Sequence, residues 1–405
     1  MRISTMRFRY ILLTFTILCA QAAAVTRDLI IVNGLGETAD FVKLTDSTIS
    51  RNVATLGLAP NDFLVAGNTG IAVNSTSNDL YFYALPSISP LGTLFLGNGR
   101  NPYTGALIDN NNALITNLLS STVTKVNIAT RSVIGEYGVG RSPEGVVIVG
   151  RTAYVCVTNF DFGNYTYGQG YVQLFDLVSN TVVRTIPVGT NPQDIALGYD
   201  DYLYVICSGN YATQSGILYR LAPASGDVVD SLPIGGAPAS LAITRSGILF
   251  LAAGGFTGHG EVYTVDLSAF AVLRGPGNPI YTGLGVTAVI AVSDSTVVSC
   301  NFSDDSVTEI APSGRILATF RTGDGPVAAA KYPACYVTRG DADGSGGIDI
   351  SDVVYLINRI FSGGSAPVTM VAGDCNCDMG VDISDVVTII SFIFSGGAGS
   401  CGCAD

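Results

Sequence analysis

Thr181-Val-Val-Arg-Thr-Ile-Pro-Val-Gly-Thr-Asn-Pro192, followed by Asp194-Ile-Ala-Leu197 and Tyr202-Leu-Tyr-Val-Ile-Cys207, is the stretch that decides the fold. A β-branched strand runs into a turn of Gly, two residues and Pro, and two more strands leave it. The turn recurs at Gly57–Pro60, Gly99–Pro102, Gly140–Pro143, Gly235–Pro238 and Gly323–Pro326, and Gly283-Leu-Gly-Val286 is a copy without its proline. Successive copies lie 42, 41, 49, 46, 48 and 40 residues apart. Periods of this size with strand-like content mean a radial or stacked repeat.

Before each turn the sequence reads as two strands around a polar hairpin. Tyr171-Val-Gln-Leu-Phe-Asp-Leu177, Glu261-Val-Tyr-Thr-Val-Asp-Leu267 and Thr122-Val-Thr-Lys-Val-Asn-Ile128 are copies of one of these strands. Four strands per repeat is the arithmetic of a β-propeller blade, and the polar caps that an open stack needs are not evident. Residues 27–56 supply three strands without a first, and residues 325–331 supply a first strand without followers. Joined, they complete a seventh blade and remove the exposed sheet edges. Residues 25–335 are therefore expected to form an all-β, seven-bladed propeller.

The repeat resembles the seven-bladed propellers of the YVTN family, on Ala153-Tyr-Val-Cys-Val-Thr-Asn159 and Val182-Val-Arg-Thr-Ile-Pro-Val-Gly-Thr-Asn-Pro192. The resemblance implies a fold, and little about activity, because one fold hosts many functions.

The 405 residues are 48% hydrophobic and only 13% charged, with 48 glycines and a net charge of −12. This composition suits β structure and argues against nucleic-acid binding, which needs clustered basic residues. Arg2, Arg7 and Arg9, the apolar run Tyr10–Cys19 and Ala20-Gln-Ala-Ala-Ala24 have the layout of a secretory signal peptide over residues 1–24. Cleavage is expected after Ala22 or Ala24. Leu18 stands where a lipidated Cys19 would want a small neighbour, so a lipoprotein is the weaker reading. No other segment is long and apolar enough to span a membrane. The mature chain is expected to be secreted or held at the cell surface by bacterial-type export. Removing Cys19 leaves eight of nine cysteines, an even number that fits disulfides outside the cytoplasm.

Residues 336–405 carry a second kind of repeat. Asp341-Ala-Asp343-Gly-Ser345-Gly-Gly347-Ile-Asp349-Ile-Ser-Asp352 returns 33 residues later as Asp374-Cys-Asn376-Cys-Asp378-Met-Gly380-Val-Asp382-Ile-Ser-Asp385. Oxygen ligands at positions 1, 3, 5, 9 and 12, with a backbone carbonyl at 7 (Gly347 and Gly380), form the ligand set of a calcium loop. An amphipathic helix is expected after each loop, over Val353–Phe361 and Val386–Phe394, ending at Gly363 and Gly396. No helix precedes either loop, and Asp rather than Glu stands at position 12.

These features, over residues 340–398, resemble type I dockerins. The resemblance implies a small helical calcium-binding module of paired loop–helix units, with two Ca2+ sites and a cohesin-like protein or cell-surface component as partner. Met379 occupies position 6, which favours Gly, and this puts the second site in doubt. Positions 10 and 11 read Ile350-Ser351 and Ile383-Ser384 rather than paired hydroxyls, so partner specificity is expected to differ. Cys375-x-Cys377 and Cys401-x-Cys403 flank the second repeat. They read as a disulfide clasp ahead of a four-thiolate zinc site, since zinc cysteines are usually spaced by two or more residues.

The catalytic inventory of the propeller is thin. It has one histidine, His259, no tryptophan and five scattered glutamates, with no nucleophile elbow. Three consecutive repeats are long between their second and third strands, at Asn159–Gly170, Ser208–Ser215 and Gly254–Gly260. Equivalent loops of adjacent blades cluster on one rim, where insertions commonly mark a binding face. The candidate ligand residues are Phe160, Asp161, Phe162, Asn164, Tyr165, Tyr167, Tyr211, Gln214, Phe256 and His259. Their aromatic, amide and carboxylate groups suit a glycan or an extended peptide.

The expectation is a non-enzymatic binding or scaffolding propeller, docked to a partner or surface through the C-terminal module. One alternative is a hydrolase or lyase within a polysaccharide-degrading extracellular complex. The other is a surface-layer spacer whose loops bind nothing.

Overall fold

The computed structural model describes residues 28–253, 259–293, 296–332, 340–345, 348–367, 370–376 and 380–395. The expected export segment lies outside these residues, as do Cys335, Cys377, Cys401 and Cys403.

Seven antiparallel sheets follow one another along the chain. Blade 1 comprises Pro60–Ala66, Thr69–Asn74, Asp79–Ala84 and Ser89–Phe95. Blade 2 comprises Pro102–Leu107, Asn112–Asn117, Thr122–Asn127 and Ser132–Gly138. Blade 3 comprises Pro143–Val149, Thr152–Val157, Tyr171–Asp176 and Thr181–Pro187. Blade 4 comprises Pro192–Leu197, Leu203–Cys207, Ile217–Ala222 and Asp227–Pro233. Blade 5 comprises Ser240–Ile243, Ile248–Ala252, His259–Asp266 and Ala271–Arg274. Blade 6 comprises Val286–Ser293, Thr296–Asn301, Ser306–Ile310 and Ile316–Arg321. Blade 7 joins Pro326–Tyr332 to Asp28–Asn33, Thr38–Lys43 and Thr48–Thr55. The first strand of each blade packs on the first strand of the next, and Pro326–Tyr332 against Pro60–Ala66 closes the ring.

The sequence explains these positions. The second strands are covered by neighbouring blades on both faces, so they read as continuous apolar runs: Leu29 to Val32, Ile71 to Val73 and Leu203 to Ile206 are all buried. Each such Leu, Ile or Val contributes roughly 1.5–3 kcal/mol by leaving water. Fourth strands lie at the periphery, and Thr181–Pro187 is exposed along most of its length. The turn proline opens the first strand in blades 1, 2, 3, 4 and 7. The residue before it is left-handed in each case, with φ of 51° at Ala59, 52° at Asn101, 56° at Ser142, 59° at Asn191 and 65° at Gly325. Asn and Gly adopt that conformation readily.

Blades 7, 1, 2 and 6 end their second strand on a buried asparagine, Asn33, Asn74, Asn117 and Asn301. Each amide donates across a short hairpin, for example Asn74 to Asp79 at 3.0 Å and Asn117 to Thr124 at 2.8 Å. In blades 3, 4 and 5 the strand ends on Val157, Cys207 and Ala252 instead, and those are the blades with long loops.

Ring closure is fixed by backbone pairing from Asp28 opposite Tyr332 onward, and by one buried carboxylate. Asp40 accepts from the N–H of Asn52 and of Gly323, both at 2.7 Å, and so ties the two ends of the propeller together. Asp40→Ala leaves two backbone donors without this acceptor, and hydrogen bonds to a charged group contribute about 1.5–3 kcal/mol each. The variant is expected to lose about 2–4 kcal/mol in urea unfolding, whereas Asp46→Ala, in an exposed turn of the same blade, should change stability little. Equal midpoints for the two variants would rule out the closure role.

Blade 5 departs from the pattern. Its outer edge is shared by Ala271–Arg274 and Ile280–Leu284, which both pair with His259–Asp266. Gly275-Pro-Gly-Asn-Pro279 interrupts the edge because its two prolines offer no ladder donor. Part of the length of this repeat lies in that interruption rather than in the loop before His259.

Beyond the propeller, helices Ile350–Ser362 (α1) and Ile383–Ser395 (α3) flank a one-turn helix, Met370–Gly373 (α2). Ala342, Val353, Leu356, Cys375, Val386 and Ile389 form the core between them. Both long helices begin three residues before the sequence-based expectation. For α1 the cause is visible: the Asp349 side chain accepts from Ser351 N–H, and Asp352 reaches back to Asp349 N–H, closing a capping box. Gly363 ends α1 in the left-handed conformation, as expected, and Gly396 lies outside the described residues. No described helix is long and apolar enough to cross a membrane. Cys156, Cys207 and Cys300 are buried thiols, not disulfide partners. Cys375 is buried with its Sγ 3.3 Å from Gly373 O, and the other cysteines of the expected clasp lie outside the described residues.

Candidate functional site

In the first acidic loop, Asp341 and Asp352 are buried, and one carboxylate oxygen from each of Asp341, Asp343 and Asp352 lies within 4.8 Å of the others. Asp352 accepts from Asp343 N–H at 3.1 Å through Oδ1 and from Asp349 N–H at 2.9 Å through Oδ2. Ser345 donates its N–H to Asp343 at 2.9 Å and its hydroxyl toward Asp341 at 3.4 Å. The second loop repeats the arrangement. Asp385 accepts from Cys375 N–H at 2.7 Å, Asn376 N–H at 3.1 Å and Asp382 N–H at 2.8 Å. Asp374 is buried, and the Asn376 amide donates to Ser384 Oγ at 2.5 Å.

Burial pushes the Asp352 carboxyl above its ordinary value; its backbone donors oppose the shift, and the charges of Asp343 and Asp341 add to it. Asp385 is raised in the same way, with Asp374 adding its repulsion. Oxygens gathered this closely favour either a proton or a hard cation that takes six to eight of them. Among the described residues, Asp341, Asp343 and Asp352 form an acidic cluster that could hold a metal ion, with Ser345 and Asp349 in the same loop, and Asp374, Asn376, Gly380, Asp382 and Asp385 are their counterparts in the second loop. Gly347, Asp378 and Met379 lie outside the described residues.

The module meets the propeller at two cations. Arg245, in the turn between the first two strands of blade 5, donates to the Asp343 carbonyl, and Arg359 of α1 pairs with Asp201, in the equivalent turn of blade 4. Antiparallel order places these turns on the face opposite the loops between second and third strands.

On that other face, a cleft of about 840 Å³ opens over blades 3 and 4. Five of the expected ligand residues line it: Phe160, Tyr165, Tyr167, Tyr211 and Gln214. Thr166, Gly168, Gln169, Thr190 and Asn210 complete the wall. The blade 3 loop is itself a hairpin, Phe160–Asp161 against Thr166–Tyr167. Phe160 packs on Tyr167 at 4.7 Å between centroids, and Tyr167 faces Tyr211 across the cleft at 6.1 Å. Gln193 donates to the Tyr211 hydroxyl at 3.1 Å, which fixes that ring over the innermost strand of blade 4.

The remaining candidates do other work. Asp161 holds the hairpin turn, accepting from Gly163 N–H at 2.9 Å and Asn164 Nδ2 at 3.2 Å, with Arg141 beside it at 3.1 Å. These bonds keep its carboxyl below the usual range, the Gly163 bond most of all. Phe162 packs edge-on against Phe160 at 4.8 Å. His259 is exposed but opens a strand opposite Leu284 and is not among the residues that line the cleft, with Tyr281 as its ring neighbour at 6.1 Å. Phe256 lies outside the described residues.

Sequence reasoning missed a series on the innermost strands, of which Gln193 touches the cleft through Tyr211. The residue following each turn proline forms a series at the start of the innermost strands: Asn61, Tyr103, Glu144 and Gln193 in blades 1 to 4. Aligning the repeats on their prolines would have exposed it.

The chain is a seven-bladed β-propeller followed by a small helical segment. No protein-family model matches it, and no curated protein does. Solved structures share the fold. Hydrazine synthase of Kuenenia stuttgartiensis aligns with a TM-score of 0.58 at 16% identity, over 73% of this chain and 92% of that chain. A chain of the mitotic checkpoint complex gives 0.54 at 11%, over 66% and 78%. Streptogramin B lyase gives 0.52 at 10%, over 65% and 82%. At these identities the likeness is one of fold.

Proposed function

We propose that the chain is an exported binding protein. One face of its propeller holds a ligand in the cleft over blades 3 and 4. The C-terminal module, dockerin-like and loaded with calcium, docks the protein to a cohesin-like domain or another surface component.

The observation that carries the docking reading is a repeated surface. Ile350, Val354, Ile357 and Phe361 of α1 are exposed, and so are Ile383, Val387, Ile390 and Phe394 of α3, each 33 residues further on. The spacing of four, three and four residues makes one apolar stripe on each helix, while Val353, Leu356, Val386 and Ile389 fill the core between them. Two equivalent stripes offer a partner two equivalent footholds. Both helices start at a position-9 carboxylate or just beyond it, so filling the loops would set the stripes in register. A spacer alone would not account for the aromatic cleft on the far face.

Capture on an immobilised cohesin-like domain, with and without excess chelator, tests the docking. Calcium-dependent retention, lowered at least tenfold by Val354→Asp with Val387→Asp, is expected. Retention that ignores both chelator and charge would reject the docking surface.

A further inference from the structure

Each of two adjacent blades builds one jaw of the cleft, and each jaw is tied down by its own hydrogen bonds. In blade 3, Phe160 pairs with Tyr167 and Asp161 with Thr166, and Gly168 N–H returns to Asn159 O at 3.0 Å. In blade 4, Asn210 Oδ1 accepts from the N–H groups of Ala212, Thr213 and Gln214 at 3.1, 2.8 and 2.8 Å. Asn210 N–H closes the same turn onto Gln214 O at 3.3 Å. Gly209 permits that turn: its φ is 79°, and a Cβ there would overlap the Gln214 carbonyl oxygen. Both loops are shaped before a ligand arrives, which lowers the ordering cost of binding.

The jaws present aromatic and polar groups without charge. Among the described residues that line the cleft there is no carboxylate, no lysine and no arginine. Asp161 and Arg141, the charged pair at the hairpin, are spent on the turn and on each other. Tyr165 is 80% exposed and Tyr211 56%, so core packing explains neither ring. Tyr211 is nevertheless held in place, because its hydroxyl accepts from Asn191 Nδ2 at 3.3 Å and Gln193 Nε2 at 3.1 Å.

Polar atoms are left over among the rings. Gln169 gives the hydrogens of Nε2 to the carbonyls of Gly170 and Val188, which leaves Oε1 as an acceptor. The Gln214 side-chain amide and the Thr190 hydroxyl make no hydrogen bond among the described residues. Both also line a smaller pocket of about 250 Å³ walled by Cys207 and Ile217, so the two spaces adjoin.

A neutral sugar ring has an apolar face of C–H groups and a rim of hydroxyls that donate and accept. Exposed ring faces with unpaired amide and hydroxyl groups beside them match both features. An extended peptide would instead seek a sheet edge, and this hairpin offers two residues on each strand. An acidic glycan or a phosphate would meet no cation in the cleft.

We infer that the cleft takes an uncharged oligosaccharide. Its sugar rings lie on Tyr165 and Tyr211, its hydroxyls are read by Gln169, Thr190 and Gln214, and the chain runs on into the smaller pocket. The inference rests on the reading of the cleft as a ligand site.

The test is calorimetry on the full chain with cellohexaose, mannohexaose and chitohexaose as neutral probes. Hexagalacturonate is the acidic probe, and acetyl-Gly-Ser-Pro-Tyr-Ser-Gly-amide is the peptide. At least one neutral glycan is expected to bind, and hexagalacturonate is not. Raising NaCl from about 0.05 M to about 0.5 M should change the affinity by less than about twofold, because no charges are paired. Tyr211→Ala and Gln214→Ala, each confirmed as folded by its melting curve, should each weaken binding about tenfold or more. A preference for hexagalacturonate, or neutral binding that survives both substitutions, overturns the inference. Peptide binding lost in Tyr211→Ala, with no glycan bound, overturns it but keeps the cleft as a ligand site. If neither the glycans nor the peptide bind, the cleft reading fails with it.

Discussion

Calcium added to the chelated protein is expected to stabilise residues 340–395 and leave the propeller unchanged. Asp341→Ala with Asp374→Ala should abolish the response. Each variant removes the position-1 oxygen of one loop, and both aspartates are buried. A ligand that binds only the folded form stabilises by mass action, by about 2.7 kcal/mol at a hundred times its dissociation constant. Two filled loops would give roughly twice that, which is large for a module whose core rests on six buried side chains.

Hydrogen exchange separates this effect from the propeller, because the amides of α1 and α3 report on the module and those of the second strands report on the blades. Magnesium is the control: it demands near-octahedral geometry and sheds water reluctantly, so an equal concentration should protect α1 and α3 far less. The single variant Asp374→Ala should keep the first site and half of the gain. Asp352 and Asp385 hold their protons more tightly than ordinary carboxyls, so calcium uptake should release protons and weaken as the pH falls. Equal protection of the helices with and without calcium would reject the metal reading of both loops.

The sequence exposed what repeats and hid what meets across the chain. The turn prolines mark the start of five first strands because proline sets its own φ and needs no ladder donor there. The split seventh blade was legible for the same reason: a first strand at 326 had no followers, and three strands from 28 had no leader. Loop ligands at fixed offsets were equally plain, and the structure gathers Asp341, Asp343 and Asp352 as that spacing requires.

Hidden were the features set by distant contacts. The Phe160–Tyr167 hairpin looked like irregular loop because its two strands are only two residues each. Nothing in Gly275-Pro-Gly-Asn-Pro279 itself says that the edge resumes beyond it. No sequence pattern ties Arg359 to its partner Asp201, which lies 158 residues earlier. His259 stood out as the lone histidine, yet it is not among the residues that line the cleft, while Glu144 passed as one scattered glutamate among five.

Burial of that glutamate is expected to cost the propeller stability as the pH rises toward 8. The folded chain holds the Glu144 proton up to about pH 8, against an ordinary value of 4.5. Between these values the folded state binds more protons than the unfolded state, so stability falls as pH rises. From pH 5 to pH 8 the loss attributable to this group is on the order of 3 kcal/mol. Asp194, raised to about 6 against 3.8, adds a loss of the same sign that is complete at lower pH. Glu144→Gln keeps the shape and removes the charge. It is therefore expected to melt like the parent at pH 5, to be the more stable protein at pH 8, and to show a flatter profile between pH 6 and 8. Urea unfolding followed by tyrosine fluorescence at pH 5, 6, 7 and 8 measures this directly. A carboxyl that weakens its own fold at neutral pH is a common trait of functional sites. Parallel profiles for parent and variant would mean that Glu144 ionises in the folded chain as it does in water.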